Sequence, residues 1–569
     1  MHLLFAFFSL SLGAVARATQ EPFSLSDEAP ILSARLDSAI DNILKEFQTP
    51  GGVGVAVVRK TAQGTWHVES KGYGNATARG DKTTADTLFA IGSNSKLFDI
   101  FATGLLISNE TLSPRISWTS KIASIIPEWK LMDPVASSES NIVDIMSHRT
   151  GLPRHDFMTP LDASPIDVIS RLRYVRPSTG FREHTQYNNH MYTTLSHFPP
   201  ALVNTTYEQY VHDNILAPLG MDDTRYFYAD AVKTGRLADS FLREGANLTE
   251  DPFAQGTIRV FPYWDQSTKG HVISGAGGVI SSARDMAIWL QALLEEGKNR
   301  ANETVIPAEV VRKAATGVTV FTPVAPYPEL SPEVYGGAQF RSTYRGYGFR
   351  TQVTRFPSEN FGVSVLSNED DLGLSIMESI KYRIIDEVFG LEAIDWPARY
   401  RTSRAKAIPP PLLARAKDAP APAVPYAALA GAYTHPAYGT IDFCLFAENK
   451  TTGGACASLA EDVAAARLPG VIEPEVPTLL ARWDTMVTTY LRLAHYAGDL
   501  FNLTAVQNYP TEVPGEFWVR KIEGLRAEFE VKGGEIGFSP IDVWGSEVPG
   551  PEGETVEERA EAWFAKVKV

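Results

Sequence analysis

Apolar residues recur at three- and four-residue spacing at Leu32, Leu36, Ile40, Ile43 and Phe47, which predicts an amphipathic helix over residues 30–47. The run Gly51-Gly52-Val53-Gly54-Val55-Ala56-Val57-Val58 then reads as a strand, with residues 65–71 as its hairpin partner. Leu88, Phe89 and Ile91 form a short apolar approach to Gly92, and Leu97, Phe98, Ile100, Phe101, Leu105 and Leu106 predict a largely apolar helix over 93–108. Residues 139–147 and 205–217 also read as helical, with a shorter candidate at 164–170. A glycine loop, Gly275-Ala276-Gly277-Gly278, precedes a helix with Ser281 or Ser282 as cap and Met286, Ile288, Leu290 and Leu293 as its stripe. Strands are expected at 348–356 and 362–367, joined by the turn Pro357-Ser358-Glu359-Asn360.

The order is strands, many helices, then strands. It predicts an α+β domain over residues 30–398, whose mostly antiparallel sheet is completed by both ends of the segment, with helices against it and a helical region inserted. The Pro- and Ala-rich stretch 399–425 reads as a semi-rigid extended linker. Beyond it, residues 426–569 alternate in short segments, as expected of a small all-β barrel or sandwich, with no catalytic constellation of its own.

A length of 569 residues requires more than one domain. The 44% apolar and 21% charged fractions are those of a folded chain. A net charge of −15, without a basic run, argues against a nucleic-acid or anionic-membrane partner. Residues 1–18 read as a secretory signal: Leu3–Leu12 is too short to span a bilayer, and Ala14-Val15-Ala16 and Ala16-Arg17-Ala18 are small-x-small cleavage patterns. No later segment is long enough for a transmembrane helix, so a secreted, extracellular protein of the eukaryotic secretory pathway is expected. Sequons at Asn75, Asn109, Asn204, Asn247, Asn302, Asn449 and Asn502 fit that compartment. So would a local disulfide between Cys444 and Cys456, the alternative being two unpaired thiols; neither cysteine has the partners for a metal site.

Ser93-Asn94-Ser95-Lys96 carries the candidate chemistry. On a helix, side chains three apart share a face, so the Lys96 amine can reach the Ser93 hydroxyl. A serine is a poor nucleophile until a neighbouring base takes its proton, and a lysine is one such base. The leaving group needs a proton in turn. Tyr187-Asn188-Asn189 is the best source, with Tyr187 and Asn189 able to face one cavity; the plain alternative is a packed tyrosine and a capping asparagine. A second Tyr-x-Asn, Tyr73-Gly74-Asn75, is set aside because its asparagine is a sequon in a turn.

With these motifs in place, residues 30–398 resemble the serine beta-lactamase, penicillin-binding protein and esterase superfamily, nearest its class C branch. Ser93-x-x-Lys96 matches the first motif and Tyr187-x-Asn189 the second. Met146–Pro153 resembles the “LLSHTSGLP” stretch, Ala217–Thr224 the “PLGMxxT” stretch, and Gly275–Asp285 the “AGGLxSTxxD” segment. The resemblance implies that Ser93 is the nucleophile, Lys96 a base or proton relay, Tyr187 the partner that protonates the leaving group, and Asn189 a ligand of the acyl portion. It implies structural roles for His148 and His155, a small ester or amide substrate, no metal and no cofactor. The C-terminal segment resembles the lipocalin-like barrel often appended to such proteins.

The third motif of the superfamily, Lys-Thr-Gly or His-x-Gly on an edge strand, has no counterpart. Tyr335-Gly336-Gly337 and Thr343–Gly346 resemble pieces upstream of it and Tyr347–Arg350 the piece just downstream. Either Arg341–Gly346 shifts into the edge position, with Tyr344 or Arg345 standing in, or the oxyanion hole loses a donor, at a typical cost of roughly 3 kcal/mol. The expected function is a serine hydrolase or acyltransferase working through an acyl-enzyme. The alternative is an impaired relative that binds a ligand or protein in the old cleft.

Overall fold

A computed structural model describes residues 29–248, 250–263, 271–344, 347–350, 353–407, 415–447, 450–451 and 456–568. The predicted signal segment and Arg345 and Asn449 lie outside these residues.

The strand Gly52–Lys60 sits inside an antiparallel sheet between Trp66–Gly74 and Phe361–Ser367, with Val353–Phe356 at the edge. Strand geometry sends alternate side chains to opposite faces. Val53, Val55 and Val57 therefore join one core with Leu36 and Ile40 of the helix Ala34–Glu46 and Ile376 and Ile380 of the helix Gly373–Val388. Ala56 and Val58 face the other core, with Phe98 and Phe101 of the helix Lys96–Ser108 and Met286 and Leu290 of the helix Ala283–Leu294. Ser282 caps the latter by accepting the Asp285 N–H. The α+β expectation thus holds: both ends of the domain complete one sheet.

Two readings need correction. Residues 348–356 are not one strand. Tyr347–Arg350 pairs with Phe340–Tyr344 in a second sheet, which continues through Glu333–Tyr335 to Thr319–Thr322, and only Val353–Phe356 joins the main sheet. The chain passes between two sheets where its residue pattern shows no break. The first part of the expected extended linker, residues 399–407, is not extended. Residues 396–407 form a helix, Trp396–Ala407, held by Trp396 stacked on Tyr382 with ring centroids 4.3 Å apart. The aromatic anchor and the absence of proline between 398 and 408 outweigh the local bias toward an extended chain.

The C-terminal domain is a barrel. Its nine-stranded sheet closes on itself where Gly431–His435 pairs with both Gly439–Ala447 and Phe564–Lys566. Cys444 and Cys456 are disulfide-bonded, with Cα atoms 5.6 Å apart, tying a barrel strand to the start of the helix Ala457–Ala464. Aromatic rings fill the interior, with Phe538 5.0 Å from Phe564, 5.2 Å from Tyr433 and 5.4 Å from Phe529. A cavity of only about 10 Å³ lies among Phe157, Tyr438, Trp483, Phe538 and Phe564.

The barrel is docked against the helical region. Phe157 stacks on Trp483 at 6.2 Å, Thr159 and Met486 share a backbone hydrogen bond of 2.9 Å, and the buried His155 Nδ1 lies 2.6 Å from Tyr438 Oη. Arg171 donates to the Ala437 carbonyl at 3.0 Å, and Arg176 to those of Glu558 and Ala560 at 2.6 and 3.1 Å.

Candidate active site

Ser93 lies in a single 3-10 turn, Gly92–Ser95, that runs directly into the helix Lys96–Ser108. In a 3-10 turn, side chains three apart eclipse, which brings Lys96 over Ser93 more directly than α-helical geometry would. Gly92 has φ +51, a left-handed conformation that glycine adopts without a Cβ clash. Ser95 holds the turn from below, donating to the Gly92 carbonyl at 2.6 Å and accepting the Val279 N–H at 3.0 Å.

Each residue of Tyr187-Asn188-Asn189 does a different job. Asn188 caps the helix Asn189–Ser196, its Oδ1 accepting the His190 N–H at 2.7 Å, while its amide donates to the Pro153 carbonyl at 2.6 Å. The cap turns the residues on either side toward the cleft. Tyr187 Oη donates to Ser93 Oγ at 2.7 Å, and Asn189 Oδ1 accepts from Lys96 Nζ at 2.8 Å. Lys96 Nζ also reaches Ser93 Oγ at 3.2 Å and the Ala276 carbonyl at 2.7 Å. The amine lies 4.9 Å from the Tyr187 ring centroid and 5.3 Å from that of Tyr192, and Lys96 is only 1% exposed.

The two histidines are scaffold. His148 accepts the Asn188 N–H through Nδ1 at 3.2 Å, and its ring packs 4.5 Å from Tyr187. Burial, reinforced by Lys96 and Arg154, pushes its pKa well below the usual imidazole range. His155 is likewise pushed down, by burial first, to about 3. Asp144 anchors the loop between them: fully buried, it accepts from Arg149 and Arg182 at 2.7 Å each.

The glycine loop Gly275–Gly278 is largely the short helix Ser274–Gly277, and its Ala276 carbonyl accepts from Lys96. A Cβ on Gly275 would stand 2.5 Å from Asp99 Oδ2 and 2.7 Å from Ser196 Cβ, so this position requires glycine. Asp99, one helical turn beyond Lys96, is fully buried, and neither carboxyl oxygen has a hydrogen-bond partner among the described residues. Sequence reading missed it, although a lone carboxylate between Phe98, Ile100 and Phe101 was a visible signal.

Burial pushes the Asp99 carboxyl well above the usual range, with Lys96 opposing. The folded protein thus holds this proton more tightly than the unfolded chain. The stability it contributes is whole below the unfolded pKa of about 3.9 and is lost as pH rises toward the folded value. Asp99→Asn, which resembles the neutral acid, is therefore expected to melt several degrees above wild type at pH 8, the gap closing by pH 4. Thermal melts at both pH values check this, and a gap unchanged with pH would contradict it.

The cleft beside Ser93 has a volume of about 530 Å³ and is walled by Tyr187, Phe321, Tyr335, Phe340, Leu374 and Lys381, among others. Phe321, Tyr335 and Phe340 come from the second sheet, which sequence reading did not place at the site. Of the segment Arg341–Gly346, for which a shift to the sheet edge was one of two outcomes, the described part lies in the strand Phe340–Tyr344, which pairs with Tyr347–Arg350, Tyr344 opposite Tyr347. Among the described residues the main sheet ends at Val353–Phe356.

The model of the family described as “Beta-lactamase” matches residues 36–376. The chain belongs to the beta-lactamase family. It is 27% identical over 86% of its length, and 86% of the relative's, to the unguisins hydrolase ungD of Aspergillus violaceofuscus. It is 28% identical, over 72% of its length and 78% of the relative's, to the unguisins hydrolase ungD' of Aspergillus campestris. Among solved structures, the octameric penicillin-binding protein homologue from Pyrococcus abyssi superposes with a TM-score of 0.51 at 16% identity, covering 94% of this chain and 99% of that one. That likeness is one of fold. Family membership and the hydrolases among its relatives make this chain a beta-lactamase-like serine hydrolase in general terms.

Proposed function

We propose that this chain is a secreted hydrolase of small esters or amides that works through an acyl-enzyme on Ser93. The observation that carries the reading is the meeting of Lys96 Nζ and Tyr187 Oη at one oxygen, Ser93 Oγ, at 3.2 and 2.7 Å. In this reading one member of the Lys96–Tyr187 pair is unprotonated when Ser93 Oγ attacks the substrate carbonyl, and it takes the serine proton. Tyr187 then gives a proton to the leaving alcohol or amine as the carbonyl reforms. Water repeats the sequence in reverse and frees the acid; another nucleophile in its place would make the product of acyl transfer. Asn189 is set to bind the acyl portion while keeping Lys96 in place.

The aromatic wall of Phe321, Tyr335 and Phe340 supports an acyl group with substantial apolar surface. Two relatives named as hydrolases support hydrolysis rather than acyl transfer as the main reaction. Secretion is supported by the apolar N-terminal run and by the Cys444–Cys456 disulfide. Exposed sequon asparagines at 204, 247 and 302 fit surface glycans. Asn109 accepts from the Thr111 hydroxyl of its own sequon at 2.7 Å, whereas Asn75 donates its amide to the Pro50 carbonyl and Asn502 lies within a paired barrel strand.

With p-nitrophenyl esters of increasing acyl length, stopped-flow traces are expected to show a burst approaching one equivalent of nitrophenol per chain, followed by slower turnover. Neither burst nor turnover with any activated ester, in folded protein, would count against the reading.

A further inference from the structure

A barrel loop, residues 544–548, reaches the Gln186–Tyr187 segment at the cleft. Glu547 Oε2 accepts the backbone N–H of Tyr187 at 3.3 Å, across 360 residues of sequence. In return the buried Gln186 side-chain oxygen accepts the Glu547 N–H at 3.1 Å and the Ser546 hydroxyl at 3.3 Å. The Trp544 carbonyl accepts the His155 N–H at 3.0 Å. Gly545, at φ +63, lies so close to Arg154 that a Cβ there would meet its Cδ at 2.6 Å.

Arg154 stands with its guanidinium carbon 4.5 Å from the Tyr187 ring centroid. It also faces Asp156 at 3.7 Å, and Asp156 accepts from the Asn189 amide at 3.1 Å. Asn189 in turn holds Lys96. Both of the groups that meet at Ser93 are thus braced from one barrel loop, Tyr187 directly and Lys96 through Arg154, Asp156 and Asn189.

We infer that the barrel is a working part of the active site, and that Glu547 is a positioning residue that fixes the Tyr187 phenol over Ser93. The inference rests on the acyl-enzyme reading above. Tyr187 precedes its helix and lacks that helix's restraint, so the bond from its backbone to Glu547 joins the Asn188 cap and the His148 packing in holding the phenol in register. Misplacement of a reacting group by about 1 Å can cost on the order of 100-fold in rate. Aromatic rings occupy the barrel interior, and the bonds it makes to the Tyr187 segment come from the 544–548 loop.

Full-length Glu547→Ala is expected to lower kcat about 10- to 100-fold on an activated ester, with KM moving less than about threefold and the melting temperature unchanged. Glu547→Gln keeps an oxygen that can accept the Tyr187 N–H and should recover most of kcat, which a role through the carboxylate's charge would not allow. The rate of fluorophosphonate labelling should fall with kcat in Glu547→Ala. Arg154→Ala combined with it should lose less than the product of the two single losses, since both act on one ring.

Should Glu547→Ala fail to fold, Gln186→Leu, which removes the acceptor for Ser546 and Glu547, decides by the same readout. Wild-type kcat and labelling rate in Glu547→Ala would overturn the inference while leaving the acyl-enzyme reading intact. Wild-type protein that neither labels nor turns over would overturn the reading itself.

Discussion

Ser93→Ala is expected to lower kcat by roughly 10⁵- to 10⁶-fold, with substrate affinity and melting temperature close to wild type. The hydroxyl is the only atom removed, and its two contacts, to Lys96 Nζ at 3.2 Å and Tyr187 Oη at 2.7 Å, are with groups that have other anchors. Lys96 keeps Asn189 Oδ1 and the Ala276 carbonyl, and Tyr187 keeps its backbone bond to Glu547. The cleft should therefore stay assembled while the nucleophile is gone. Steady-state hydrolysis of an activated ester, with equilibrium binding of a slow substrate, separates the two. A residual rate within about tenfold of wild type would place the nucleophile elsewhere.

Lys96→Ala is expected to cost about 10³- to 10⁴-fold in kcat, at the upper end of what a general base contributes. Its effect should exceed loss of a proton carrier alone, because the amine also joins the Ser93 turn, the Asn189 helix and the Ala276 turn in one hydrogen-bonded knot. Asp99 gives this variant a second signature. In wild type Lys96 opposes the upward push of burial on the Asp99 carboxyl. Without that charge the carboxyl should hold its proton still more tightly, so the variant should lose more stability than wild type as pH rises from about 4 to 8. Parallel ester kinetics and thermal melts across that range test both parts. Equal pH dependence in the two proteins would show that Lys96 does not act on Asp99.

The meeting of Ser93, Lys96, Tyr187 and Asn189 was legible because their spacing is local. Ser93 and Lys96 stand three apart in one turn, and Tyr187 and Asn189 flank a capping asparagine, so spacing alone sets their directions. Sheet composition was legible for a related reason: the runs in Gly52–Lys60 and Phe361–Ser367, with few polar residues, each mark a strand buried on both faces.

The failures lie where partners are distant. Nothing in residues 348–356 marks the point where the chain leaves one sheet for another, since both partners impose the same period of two. Glu547 sits in a loop among Gly545, Pro549 and Gly550 and reads as solvated turn, because its role comes from Tyr187, 360 residues away. Asp99 carried a signal that local reading undervalued. A carboxylate on an otherwise apolar helix is costly to bury, and the turn that shelters it exists only because Gly275 has no side chain. The onset of the barrel linker was misplaced for the opposite reason: composition pointed to an extended chain, and a stacked Trp396–Tyr382 pair made a helix of it.

The central claim is that Ser93 is an activated nucleophile. Its most direct test is reaction of the folded protein with a fluorophosphonate, followed by intact mass and tryptic mapping. One adduct per chain is predicted, on the peptide 83–96 that ends at Lys96, and none on Ser93→Ala. An adduct on any other peptide, or equal labelling of Ser93→Ala, would contradict the account.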